Sequence, residues 1–126
     1  MNNTENFKKW LRLRNLGVGD LPVCGDCPAV YAFRDSRTRE ILKFGETDTL
    51  RRRIFANFIG GFGGSRPEAT TQRDHRELFS KGMIDHVELA WIETKNKADA
   101  KRMEKQFRQT YRATHSGRRP IWDRQD

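Results

Sequence analysis

The sequence predicts an α+β domain, and three observations point to it. Two short runs, 29–34 and 41–45, flank the polar hexapeptide Asp35-Ser36-Arg37-Thr38-Arg39-Glu40, a connection of the kind that closes a β-hairpin. From His86 to Thr94 the chain alternates, with Val87, Leu89 and Trp91 on one face, as a third strand would. From about 97 to 115, Ala100, Met103, Phe107 and Tyr111 recur at helical spacing, while Lys101, Arg102, Lys105, Arg108 and Arg112 make the rest of that helix basic.

The remaining elements follow in order. Phe7, Trp10 and Leu11 stand at helical spacing among Lys8, Lys9, Arg12 and Arg14, so residues 5–14 are expected to form a short amphipathic helix packed on the core. Gly17, Gly19 and Pro22 break it, which makes 1–27 a helix and loop appended to a domain at 28–126. After Gly45, the Thr47 hydroxyl or Asp48 carboxylate can cap a helix with the stripe Leu50, Ile54 and Phe58, ending near Gly60. The run Gly60-Gly61-Phe62-Gly63-Gly64 reads as a mobile loop. A helix over about 72–81, capped by Thr70 or Thr71 and ended by Gly82, precedes the third strand. Gly117 ends the long helix, and Pro120 keeps the tail from continuing it.

Composition bounds what such a domain does. The chain's 126 residues suit a single core; 35% are hydrophobic and 33% charged, with mean hydropathy −0.92, so the core is small and the surface strongly charged. Lys and Arg outnumber Asp and Glu by 25 to 17, giving a formal charge of +8 and a pI near 10.0, and a basic folded surface calls for a polyanionic partner such as nucleic acid. No stretch approaches the roughly 20 apolar residues of a membrane span, and Met1 to Glu5 is too polar to open a signal peptide, so a cytoplasmic or nucleoid-associated protein is expected. Cys24 and Cys27 form a C-x-x-C. Zinc would need two more ligands, and His75, His86 and His115 show no close pairing; a redox pair would open a helix, whereas Pro28 leads into a strand. Two reduced thiols in a loop are the expectation.

Chemistry concentrates in Ala29-Val30-Tyr31, Lys43-Phe44-Gly45 and Leu50-Arg51-Arg52-Arg53-Ile54, which a hairpin and the following helix bring within reach of one phosphate. With Met103-Glu104 on the long helix and Pro120-Ile121-Trp122-Asp123 at its close, this order resembles the GIY-YIG nuclease superfamily over roughly residues 28–123. The resemblance implies a small three-stranded antiparallel sheet flanked by helices, and hydrolysis of nucleic-acid phosphodiesters with one divalent metal, Mg2+ or Mn2+. Three positions depart from it: Lys43 stands where the family has its second tyrosine, Asp123 where it has an amide, and Ala29 where it has its first glycine.

Hydrolysis of a phosphodiester needs a base for water, a positive group facing the phosphate and a hard cation at the leaving oxygen. The resemblance makes Tyr31 the water-activating group, its pKa lowered from near 10 by Lys43 and Arg53, and makes Glu104 the metal ligand. Outside the resemblance, Glu104 would pair with Lys101 or Arg108 on a helix surface, Tyr31 would sit in a strand core and Arg53 on a solvated face. Strand alternation puts Tyr31 and Lys43 on one face as paired positions, with Leu42 and Phe44 toward the core. Gly45 and Asp123 are supporting positions. Arg51, Arg52, Asn57, Arg66, Arg108, Arg118 and Arg119 are candidate phosphate contacts, and Trp122 either stacks on a base or closes the core. His75 and His86 have no placed role. The partner implied is DNA, with RNA left open, bound by a monomer or homodimer. Three functions compete: a metal-dependent endonuclease, a nuclease fold that the changes at 43 and 123 have reduced to a binding module, and an unrelated basic protein-interaction domain.

Overall fold

A computed structural model describes residues 7–21, 27–59 and 70–122. It is an α+β fold around one antiparallel sheet: β1 (Leu11–Arg12), β2 (Ala29–Asp35), β3 (Ile41–Thr47) and β4 (Val87–Glu93), in the order β1-β4-β2-β3. The sheet therefore has four strands where three are expected. Leu11 pairs with Leu89 and Arg12 with Glu88, and Leu13–Asn15 follows as a 3-10 turn, so the expected N-terminal helix is not formed over these residues. The reason is tertiary. An extended segment lets Phe7 bury against Phe107 (4.8 Å between ring centroids), places Trp10 under the Arg34 guanidinium (4.2 Å), and covers the edge that β4 would otherwise leave open.

The two faces of the sheet have separate cores. On one, Ala29, Tyr31 and Phe33 of β2 and Val87 and Leu89 of β4 pack with Leu13, Leu21, Leu50, Ile54, Leu78 and Trp122. On the other, Val30, Ala32, Phe44 and Ala90 pack with Phe7 and Phe107. Helix α1 (Leu50–Arg52), which runs directly into a π-helical segment (Arg53–Ile59), and helix α2 (Thr70–Ser80) cover the first face; α3 (Lys97–Thr114) covers the second. Ala100 and Phe107 are buried along α3, with Met103 and Tyr111 packed beside them, as the helical periodicity requires. Asn96 caps α3 by accepting from the Asp99 N–H at 2.8 Å. At the start of α1, however, neither expected cap engages the helix: Thr49 holds the cap position without a side-chain bond to the helix, the Thr47 hydroxyl accepts from the Thr49 N–H, and Asp48 is exposed.

The hairpin closes on Asp35. Its Oδ1 accepts from the Arg37 N–H (2.8 Å) and its Oδ2 from Arg37 Nη2 (2.9 Å), while Arg39 turns through φ 64°. The hydrogen bond from the Arg37 side chain, partly opposed by burial, holds the Asp35 carboxyl below the ordinary value of 3.8. Because the folded-state pKa is the lower one, the stabilisation is complete above about pH 3.8 and is lost as pH falls through the folded value. Asp35→Asn is accordingly expected to flatten the acid limb of a stability-versus-pH curve read by urea titration; an unchanged limb would remove Asp35 as the cause.

Register and a bulge decide which side chains share a face. Tyr31 lies opposite Gly45 and Phe33 opposite Lys43, after which the pairing slips and Arg34 meets Ile41. Tyr31 and Lys43 thus share a face but are diagonal neighbours, not a pair. Phe44 enters the α3 core as expected, whereas Leu42, at the slip, joins the opposite core. Cys27 is disulfide-bonded, which corrects the expectation of reduced thiols for that residue; Cys24 lies outside the described residues.

Candidate active site at the outer edge of the sheet

The candidate site is built where both helical layers reach the outer strand, β3. Tyr31 arises one strand further in and crosses β3 at the position without a side chain: a Cβ on Gly45 would lie 2.3 Å from Tyr31 Cζ and 2.4 Å from its hydroxyl oxygen. Gly45 is therefore the gap through which the ring reaches the edge of the sheet. Gly45→Ala should cost about 1–3 kcal/mol, since the ring and not a flexible tip must move. Equal urea midpoints for variant and wild type would show that the ring has room to yield.

Four charged groups act on the Tyr31 hydroxyl, each from a different element. Burial pushes the phenol pKa far up; Arg53, at the start of the π segment, opposes it, while Glu104 of α3, Asp74 of α2 and Glu46 of β3 push it further. This reverses the expected direction. The second expected cation, Lys43, is committed elsewhere: its Nζ donates to Asp74 Oδ2 at 2.7 Å, with the lysine side chain 8% exposed and the aspartate fully buried. A buried ammonium requires a carboxylate, and Asp74 supplies it.

Glu104 opens onto a cleft of about 520 Å³ lined by Glu46, Lys101, Glu104, Lys105, Arg108 and Arg112. It pairs with Arg108 at 3.2 Å, the helical contact expected outside the family resemblance. Glu46 Oε2 and Arg53 Nε are buried without a hydrogen-bond partner among the described residues. Groups of this kind are costly unless something satisfies them, and here one is anionic and the other cationic. Among the described residues no three or more His, Cys, Asp or Glu side chains gather as a metal site. Two carboxylates lining one cleft, one with an unsatisfied oxygen, suit a hard divalent ion that keeps most of its waters.

The structure thus brings Tyr31, Arg53, Glu104 and Gly45 to one edge and sets Lys43 in a buried pair beside them. Arg51 reaches the Leu21 carbonyl (3.4 Å), and Arg52 is exposed on the same helix. Arg108 lines the cleft, while Arg118 and Arg119 lie at the far end of α3. Trp122 closes the first core, edge-on to Phe33, and its backbone N–H donates to the Leu42 carbonyl at 2.7 Å; buried in this way, it is not a base-stacking surface. His75 packs against the Phe79 ring (4.8 Å between centroids), and the His86 backbone carbonyl accepts from the Ser36 N–H. Arg66, Asp123 and the Asn57 side chain lie outside the described residues.

Sequence reasoning missed Asp74 and Glu46. Asp74 was legible in part, because it stands four residues before the buried Leu78 on α2 and so on that helix's inner face. Glu46 follows from alternation: two residues beyond Phe44, it faces α3. Comparison with protein-family models, with curated proteins and with solved structures finds no match for this chain.

Proposed function

We propose that this chain is a GIY-YIG-type endonuclease that hydrolyses phosphodiester bonds in DNA with the help of one divalent cation. The observation that supports this most directly is the passage of Tyr31 over Gly45, which sets its hydroxyl among Arg53, Glu104 and Glu46. Of the four positions that the family resemblance selects as catalytic, two, Arg53 and Glu104, act there on the hydroxyl of a third, Tyr31.

In this reading Arg53 faces the scissile phosphate. Its buried Nε, which has no hydrogen-bond partner among the described residues, would donate to a phosphoryl oxygen and stabilise charge that grows in the transition state. Glu46 and Glu104, which line one cleft, would hold the cation. A bound Mg2+ or Mn2+ would neutralise the leaving oxygen and offset two of the three carboxylate charges that raise the Tyr31 pKa. Tyr31 orients the attacking water through its hydroxyl; as the phenolate, its own proton having first passed to bulk water, it would accept the proton of the attacking water. Lys43 and Asp74 fix α2 to the sheet beneath the phenol. Lys101, Lys105, Arg108 and Arg112, a basic row on α3, hold backbone phosphates and carry no sequence information.

One observation favours the binding-module reading: the burial of Lys43 against Asp74 removes a second ionisable group from the edge, and Tyr31 is strongly disfavoured as a phenolate. Incubation of the protein with supercoiled DNA and Mg2+ or Mn2+ separates the two. Nicking or linearisation supports the enzyme. Binding without cleavage under any divalent ion supports the module. Binding through four phosphate contacts should weaken on the order of 10²-fold between 50 and 200 mM salt, and a flat response would remove the basic row as the binding face.

A further inference from the structure

A second cleft, of about 490 Å³, lies at the C-terminal end of α3 between Glu40, Tyr111, His115, Arg118, Arg119 and Ile121. It lies in series with the first. Along the α3–β3 edge, Glu104 and Glu46 share the first cleft, Phe107 stacks on Phe44 (5.5 Å, 13°), and Tyr111 meets Glu40 and Ile41 at the second. Seven helical residues, about 10 Å of rise, separate Glu104 from Tyr111, a distance of a few nucleotides. Arg108 and Arg112 line the first cleft on that stretch of helix.

The second cleft has a flat aromatic component. The His115 imidazole lies parallel to the Tyr111 ring, with centroids 3.7 Å apart and 6° between planes, which occupies one face of the imidazole and leaves the other to a ligand. The ring is held in place: Nδ1 donates to the Tyr111 carbonyl at 2.8 Å, and the Thr114 hydroxyl lies 2.9 Å away. Ile121 is 72% exposed although both its neighbours, Pro120 and Trp122, are buried, so the backbone fixes an apolar side chain on the cleft rim. Among the described residues that side chain belongs to neither core. Arg118 and Arg119 add two guanidinium groups to the same wall.

We propose that this cleft is a stacking subsite for one unpaired nucleotide, with the His115–Tyr111 pair and Ile121 sandwiching the base and Arg118 and Arg119 meeting its phosphate. The proposal rests on the nucleic-acid reading above and adds that the substrate is single-stranded or frayed a few nucleotides from the cleaved bond. A base inside a duplex has no free face for such a stack.

The test measures fluorescence anisotropy without divalent ions, using a labelled 12-nucleotide single strand and a blunt duplex of the same length, with wild type and His115→Ala. His115→Ala is expected to weaken single-strand binding about tenfold, the scale of one base stacked on an aromatic ring, and to change duplex binding less than twofold. A single abasic position walked along the strand should reproduce that loss at one register in wild type and add nothing in His115→Ala. Ile121→Ala, at an exposed position that cannot disturb the core, gives a second variant with the same expectation. Unchanged single-strand affinity in both variants would overturn the subsite while leaving the nuclease reading intact. A wild type that binds neither probe would overturn both.

Discussion

Glu104→Ala is expected to lower Mg2+-supported DNA cleavage by at least about 10³-fold while leaving the Kd for DNA within about threefold. The carboxylate shares its cleft with Glu46, and losing a ligand to the cation removes several kcal/mol of charge stabilisation, each 1.36 kcal/mol of which is tenfold in rate. Binding is spared because Arg108, now without its acidic partner at 3.2 Å, leaves the cleft more positive. Arg53→Ala should cost about 10²–10³-fold through the lost phosphate contact. Single-turnover cleavage at matched DNA occupancy is the measurement. Wild-type rates in a purified, folded Glu104→Ala protein would remove this edge as the active site.

The second large effect is on stability. Asp74→Ala should destabilise the fold by about 3–5 kcal/mol, because it removes the carboxylate that the Lys43 ammonium, 8% exposed, meets at 2.7 Å. Lys43→Met combined with Asp74→Leu should recover most of that loss, since a buried ion pair replaced by apolar groups of similar volume is often neutral or stabilising. Urea unfolding followed by Trp fluorescence reads both, Trp122 being buried in the same core. If the double variant loses as much stability as the two single variants lose together, the pair is not coupled. The double variant also isolates the ammonium chemically. If it folds and cleaves DNA at the wild-type rate, Lys43 has no catalytic part; if it folds and cleaves slowly, the charge matters beyond its structural use.

Much of the architecture was legible in the chain. The turn chemistry around Asp35, the alternation of Val87, Leu89 and Trp91, and the spacing of Ala100, Met103, Phe107 and Tyr111 are local signals, and each element they mark is present. Of the candidate site, the motif order selected Tyr31, Lys43, Arg53 and Glu104, with Gly45 in support; hairpin and helix spacing explains why Tyr31, Gly45 and Arg53 meet, whereas Glu104 comes to that edge only through the packing of α3 on the sheet.

What only the tertiary structure decided depended on partners far away in sequence. The N-terminal segment has helical spacing, yet Phe7 gains more by burial against Phe107, and Leu11 by pairing with Leu89, than so short a helix returns. The slip between Phe33 and Arg34 made Tyr31 the neighbour of Gly45, and alternation alone contains no information about a bulge. Lys43 appeared in the sequence as a cation for Tyr31; in the fold Asp74, 31 residues later, neutralises it, and Glu46, Glu104 and burial turn the tyrosine's pKa upward. Sequence by itself determined which groups with chemistry could meet, because local geometry is written in spacing. The fold alone decided which charges cancel, because electrostatic balance in a buried site is the sum over every element that packs around it.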